Sequence, residues 1–225
     1  MKKEELKRYL HNSRLLHMVS MEQIESMIDQ EVGRVRSYRK GDILISEGED
    51  IRWLTVVLKG EVSLERLFFD GSRSQVEVIG AKDLMGVECL SSIGFSSYYF
   101  YIANSAVTTY EIPASYFRRL SGNNPGMQLM IMNQILSVLA NDNSRHREKL
   151  DVLSTGNLRT RIQTFLYYQK KRYGSNEFSI PFNREQMASY LCVNRSALSR
   201  ELGRMQDEGL IRVEGNHFLL LEEEW

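Results

Sequence analysis

The run MASYLCVNRSALSREL, Met187 to Leu202, holds the side chains best suited to chemistry in this 225-residue chain. Arg195 and Arg200 stand five residues apart, with Asn194, Ser196 and Ser199 beside them. An arginine fork can bond guanine O6 and N7 together in a DNA major groove, and serine can reach a phosphate or a base edge. Five residues of helix aim the two arginines differently, so that one suits bases and the other phosphate. Upstream, Arg184 and Gln186 open a preceding helix and are placed to meet the DNA backbone. This is the chemistry of reversible recognition. For bond making the sequence holds no Gly-rich phosphate loop, no nucleophile elbow and no HExxH motif, so no catalytic residue is assigned. Cys89 and Cys192 lie far from each other and from any Cys/His cluster, whereas a structural zinc or an iron–sulfur cluster needs about four ligands. No metal site and no cofactor are expected, and two lone thiols fit a reducing cytosol.

The arginines need elements to hold them outward. Counting Arg184 as the first residue of a helix-turn-helix puts Ala188 at the helix crossing, Leu191 and Val193 around the turn, and Leu198 and Leu202 beneath the second helix. Two short helices meeting at a steep angle need those types: a small residue where they cross and an apolar set below. Burying that set leaves Asn194, Arg195, Ser196, Ser199 and Arg200 on the outer face. Cys192 occupies the turn position where glycine is commoner, so the turn must accept a small side chain. EFSIPF before the motif reads as a strand, and GLIRVEGNHFLLL after it reads as two strands joined at Gly215–Asn216, the wing of a winged helix. The competing reading is a helical hairpin with an ordinary solvated face. Residues 155–225 carry ten Arg/Lys against nine Asp/Glu, three of the acids being Glu222, Glu223 and Glu224. The basic excess is modest, so binding is expected to depend on two docked arms.

The rest of the chain has an ordinary composition, 42% apolar and 26% charged with a formal net charge of zero, enough to build a core. Residues 1–30 read as helix, with Ser20 as an N-cap and Gln23 three residues on. From Val32 to Pro113 the pattern alternates with period two between glycines, and FDGSR is a hairpin turn. Short strands at that spacing indicate a β-barrel or jelly roll. Next, Leu129, Met132, Leu136, Leu139, Asn143, His146, Leu150 and Leu153 recur at 3-4 spacing, a heptad seam that suits a partner helix. Asn143 in that seam would fix the register of a parallel pair. The alternative is a long helix packed on its own β domain. STGN, Ser154 to Asn157, breaks the helix and is the candidate hinge. Another helix follows from about Leu158 to Tyr173, ended by Gly174. The N-terminus has no apolar signal core, and no apolar run approaches the roughly 20 residues of a membrane span. A cytoplasmic protein without a membrane partner is expected.

RKGDILISEGED, VVLKGEVSL, KDLMGVECL and YEIPASYFRRL in the first half, with NREQMASYLCVNRSALSRELGRMQDEGLI in the second, resemble the Crp-Fnr family of bacterial transcription regulators over nearly the whole chain. The resemblance implies an α+β chain. An N-terminal double-stranded β-helix, or jelly roll, would form a cyclic-nucleotide-binding-like sensor over 1–125. A dimerisation helix would span 126–154 and a winged helix-turn-helix 155–225. It implies a homodimer on a two-fold symmetric double-stranded DNA operator, a small-molecule effector at the β-roll, and RNA polymerase as a partner if the protein activates. Members guided by glutamate at the half-site carry Glu where this chain has Ser196, so the preferred sequence should differ. The effector positions fall at Gly86, Val87, Glu88, Ser97 and Tyr98. Cyclic-nucleotide binders of the family use a Gly-Glu pair for the ribose and an Arg-Ser pair for the phosphate. Here Glu88 comes one place late, and no arginine lies between Arg73 and Arg118. A buried phosphate without a cation is costly, so cyclic AMP is not expected. Phe95, Tyr98, Tyr99, Phe100 and Tyr101 either line an apolar pocket or pack as core. Two alternatives stay open: constitutive DNA binding with a vestigial pocket, and an adaptor whose winged helix contacts protein.

Overall fold

A computed structural model describes residues 1–91, 94–118 and 125–221. The terminal acids Glu222, Glu223 and Glu224 lie outside them. The chain forms two compact units, Met1–Leu139 and Ala140–Trp225.

The first unit opens with α1 (Lys3–His11) and α2 (Met21–Asp29), which divide the helical stretch expected over residues 1–30. The break is local chemistry. The Ser13 hydroxyl donates to Leu10 O at 2.6 Å and accepts from Leu16 N at 3.2 Å, an alternative to the helical ladder. The folded-back linker buries Leu15, Leu16 and Val19. Ser20 then starts α2 with Gln23 in a full capping box, as expected.

Among the described residues eight strands follow: β1 (Arg34–Tyr38), β2 (Ile43–Ile45), β3 (Trp53–Lys59), β4 (Val62–Leu67), β5 (Arg73–Ile79), β6 (Leu84–Met85), β7 (Phe100–Ala103) and β8 (Val107–Pro113). They form two antiparallel sheets, ordered β1-β8-β3-β6 and β2-β7-β4-β5. FDGSR closes the β4–β5 hairpin, with Gly71 at φ 81. β3 is apolar on both faces because both are covered. Leu54, Val56 and Leu58 pack with Leu10, Ile24 and Met27 of the helices, while Val57 packs between the sheets with Val62, Leu64, Tyr101 and Val107. Tyr99 joins that inner cluster and Phe95 packs toward the helices, so core packing accounts for much of the aromatic run. After α3 (Ala114–Arg118) comes α4 (Pro125–Ser154), a helix of 30 residues.

α4 carries two stripes. Met127, Ile131, Ile135 and Val138 are buried; of these, Met127, Ile131 and Ile135 belong to the core of the first unit. The sequence reading did not single out this stripe, because the 3-4 seam beside it is equally apolar. In that seam Leu129, Leu136 and Leu150 are 58%, 60% and 67% exposed, and Asn143 and His146 are exposed as well. Met132 departs from the seam, lying partly buried against the first core.

The second unit holds the end of α4, then α5 (Leu158–Tyr173), β9 (Glu177–Ser179), α6 (Arg184–Tyr190), α7 (Arg195–Asp207), β10 (Ile211–Glu214) and β11 (His217–Leu220). The three strands form a sheet ordered β10-β11-β9. Ile162, Phe165 and Leu166 of α5 pack with Val152, Leu191, Leu198, Leu202 and Phe218. STGN ends α4 as expected, and Asn157 caps α5 by accepting from Thr160 N at 2.9 Å. The break is nonetheless spanned. Tyr168 donates to Asp151 at 2.8 Å, Arg172 pairs with Glu148 at 2.6 Å, and Lys149 sits 5.3 Å over the Tyr190 ring. The last turns of α4 are thereby fastened to α5 and α6.

Candidate DNA-binding interface

α6 is capped by Asn183, whose side chain and that of Gln186 each accept from the other's backbone N–H at 2.9 Å. It ends at Leu191, and Val193 N returns to Ala188 O at 3.0 Å to form the turn. Between them Cys192 has φ 54, the left-handed region that favours glycine. That geometry explains the glycine preference at this position, and an L-residue here is strained. Asn194 precedes α7 as its N-cap residue without a side-chain bond.

The turn seats α7 on a buried face. Ala188, Leu191, Leu198 and Leu202 are buried, joined by Met187 and Met205, which the template did not single out. Opposite them Asn194, Arg195, Ser196, Ser199 and Arg200 are all exposed. Among the described residues no hydrogen bond or ion pair engages the Arg195 or Arg200 side chain. Two guanidiniums without partners, on a helix whose other side is pinned, form a donor surface for an anionic or acceptor-rich ligand.

Arg184 and Gln186 are engaged differently from the sequence expectation. Gln186 serves the capping box. Arg184 is half-buried: it donates to Gly215 O at 2.9 Å and lies 5.8 Å over the Phe218 ring, and burial lowers its pKa. It props the wing, whose strands meet at Gly215 with φ 59. Sequence reasoning also missed two arginines of α5. Arg161 donates to Leu191 O, at the end of α6, at 2.9 Å and to Thr155 O at 3.3 Å. Arg159 pairs with Glu201 and Glu208. Neither falls on the helix-turn-helix template, and only the packing of α5 brings them there.

In the first unit Gly86 has φ 75, and a Cβ there would come within 2.4 Å of Trp53 O, so glycine is required. Val87 and Glu88 follow in a short 3-10 turn, and Glu88 Oε2 is buried without a hydrogen-bond partner among the described residues. Ser97 is buried, but its hydroxyl is already committed, donating to Tyr99 O at 2.7 Å and accepting from Tyr99 N at 3.1 Å. Tyr98 is exposed, edge-on to Phe95. Of the five expected effector residues, then, Ser97 and Tyr98 are turned to other contacts. Among the described residues no group of His, Cys, Asp or Glu could hold a metal ion, and no helix is long and apolar enough to cross a membrane.

Comparison with known proteins bears on both units. Residues 160–224 match the family described as Crp-like helix-turn-helix domain, and residues 35–124 match the cyclic nucleotide-binding domain family. The fumarate and nitrate reduction regulatory protein of Vibrio cholerae is 25% identical over 199 residues, covering 86% of this chain and 77% of the relative. The anaerobic regulatory protein of Pasteurella multocida is 24% identical, covering 88% of this chain and 72% of the relative. The catabolite activator protein of Thermus thermophilus shares the fold, with a TM-score of 0.53 at 20% identity over 92% of this chain and 93% of that structure.

Proposed function

This chain belongs to the Crp-Fnr family of transcription regulators, DNA-binding proteins rather than enzymes, and we propose that it acts as a homodimer on a two-fold symmetric duplex. The observation that carries the reading is the two-sided α7: Leu198, Leu202 and Met205 are buried while Arg195 and Arg200 stand exposed and unpaired among the described residues. Arg195 and Arg200 read bases or clamp phosphate, with Ser196, Ser199 and Asn194 adding contacts at the helix start. Pairing follows from the exposed seam of α4, since leucines at positions 129, 136, 139 and 150 gain most by burial against a second copy. Two α7 helices then enter successive major grooves about 34 Å apart. The β-roll responds to a small molecule other than cyclic AMP. A cyclic phosphate would find no arginine from 74 to 117 to pair with. As an activator the dimer would contact RNA polymerase, and its DNA target places its work in the cytoplasm.

The test is selection of genomic DNA fragments by the purified protein, with sedimentation of the same sample. A recovered two-fold motif with half-sites one helical turn apart, bound by a dimer, is expected. Fragments no richer in any sequence than the input, or a monomer at working concentration, would overturn the reading.

A further inference from the structure

Arg159 lies in the first turn of α5, two residues past its N-cap Asn157. A cation at a helix N-terminus opposes the dipole of its own helix. Glu208 is the C-cap residue of α7, where an anion is disfavoured for the same reason. Each placement is poor for its own helix, and the two groups meet. The Arg159 fork takes both oxygens of Glu208, Nη1 to Oε2 at 2.6 Å and Nη2 to Oε1 at 2.8 Å, and Nε donates to Glu201 Oε1 at 2.6 Å. Together they hold Arg159 protonated and lower the pKa of Glu208.

Glu201 follows Arg200 directly, and its side chain is only 12% exposed. Glu201 and Glu208 are seven residues apart, about two turns or roughly 10 Å along α7. One planar group gripping two points two turns apart restrains both the rotation of α7 and its position along its axis. Arg200 is about 100° around the helix from Glu201, so any rotation re-aims it directly. Partly exposed ion pairs contribute little to stability, so the consequence of this one is geometric.

We propose that Arg159 is a positioning residue for sequence recognition, holding α7 at the rotation in which Arg195 and Arg200 face the duplex. The proposal rests on α7 being the recognition helix. It is tested with Arg159→Met, Arg159→Lys, Glu208→Gln and the swap Arg159→Glu with Glu208→Arg. Each is bound to a duplex recovered in the genomic selection and to a random-sequence duplex of equal length, and each is melted. Arg159→Met is expected to lower the preference for the selected duplex roughly ten-fold, with random-duplex affinity and melting temperature little changed. Arg159→Lys keeps the charge but not the fork and shares the loss, and the swap recovers part of it. If Arg159→Met melts below the working temperature, Glu208→Gln opens the same fork and is expected to show the same loss. An undiminished preference in folded Arg159→Met or Glu208→Gln overturns the proposal, as does a loss on both duplexes in proportion to unfolded protein. A wild-type protein that prefers no duplex sequence overturns the recognition reading, and this proposal with it.

Discussion

Cys192 sets the angle of the helix-turn-helix with a backbone that glycine would adopt without strain. Its side chain is exposed, so shortening it opens no cavity. Cys192→Gly is therefore expected to stabilise the protein by about 0.5–1 kcal/mol, read as a raised urea midpoint with unchanged slope. The proposed recognition residues are expected to behave oppositely. Arg195 and Arg200 have no partner among the described residues to lose, so Arg195→Ala or Arg200→Ala should leave thermal stability unchanged. Whichever arginine reads guanine should cost about 1–3 kcal/mol of operator affinity when removed, and whichever meets phosphate should lower the salt dependence instead. Titration of each variant at several salt concentrations tells the two roles apart. These side chains were legible in the sequence because the apolar template leaves them no inward place. Arg159 was not legible, since its partners lie 42 and 49 residues away.

At the scale of the element, α4 shows how one helix meets two demands. Its 3-4 seam was readable from spacing, but the neighbouring stripe of Met127, Ile131 and Ile135 is what packs into the core of the first unit. Periodicity marks both stripes alike, and only packing assigns them. The two should separate by mutation. Ile131→Ala is expected to cost about 2–5 kcal/mol in denaturant unfolding without changing the oligomeric state. Leu136→Asp and Leu150→Asp alter exposed positions and should leave the monomer folded while sedimentation shows the dimer lost. The break between α1 and α2 carries a related lesson. Ser13 can serve a helix or a turn, and the burial of Leu15 and Leu16 decides for the turn.

Across the whole molecule each compact unit owns a core, and the polar groups enclosed in the first make its stability depend on pH. Burial, and then the bond to the Glu111 carboxylate at 2.8 Å, raise the Tyr38 pKa to about 12. Burial raises Tyr110 to about 12 as well. In the unfolded chain both titrate near 10, so the fold favours the neutral phenols. Their contribution is complete below about pH 10 and is lost as pH rises through about 12. Unfolding by denaturant should thus show stability falling between about pH 10 and about pH 12, and the fall should be shallower in Tyr38→Phe.

Taken alone, the sequence determined the succession of elements: a β-rich half punctuated by glycines, a long helix, and a winged helix-turn-helix with two outward arginines. Those features follow from period, turn chemistry and the sizes of side chains within about twenty residues of one another, and local sterics suffice to impose them. The tertiary structure alone decided which stripe of α4 is buried, that Arg184 supports the wing, and that Arg159 grips α7. Each of those depends on contacts between segments distant in the chain, and no spacing rule specifies which surfaces meet when the core closes.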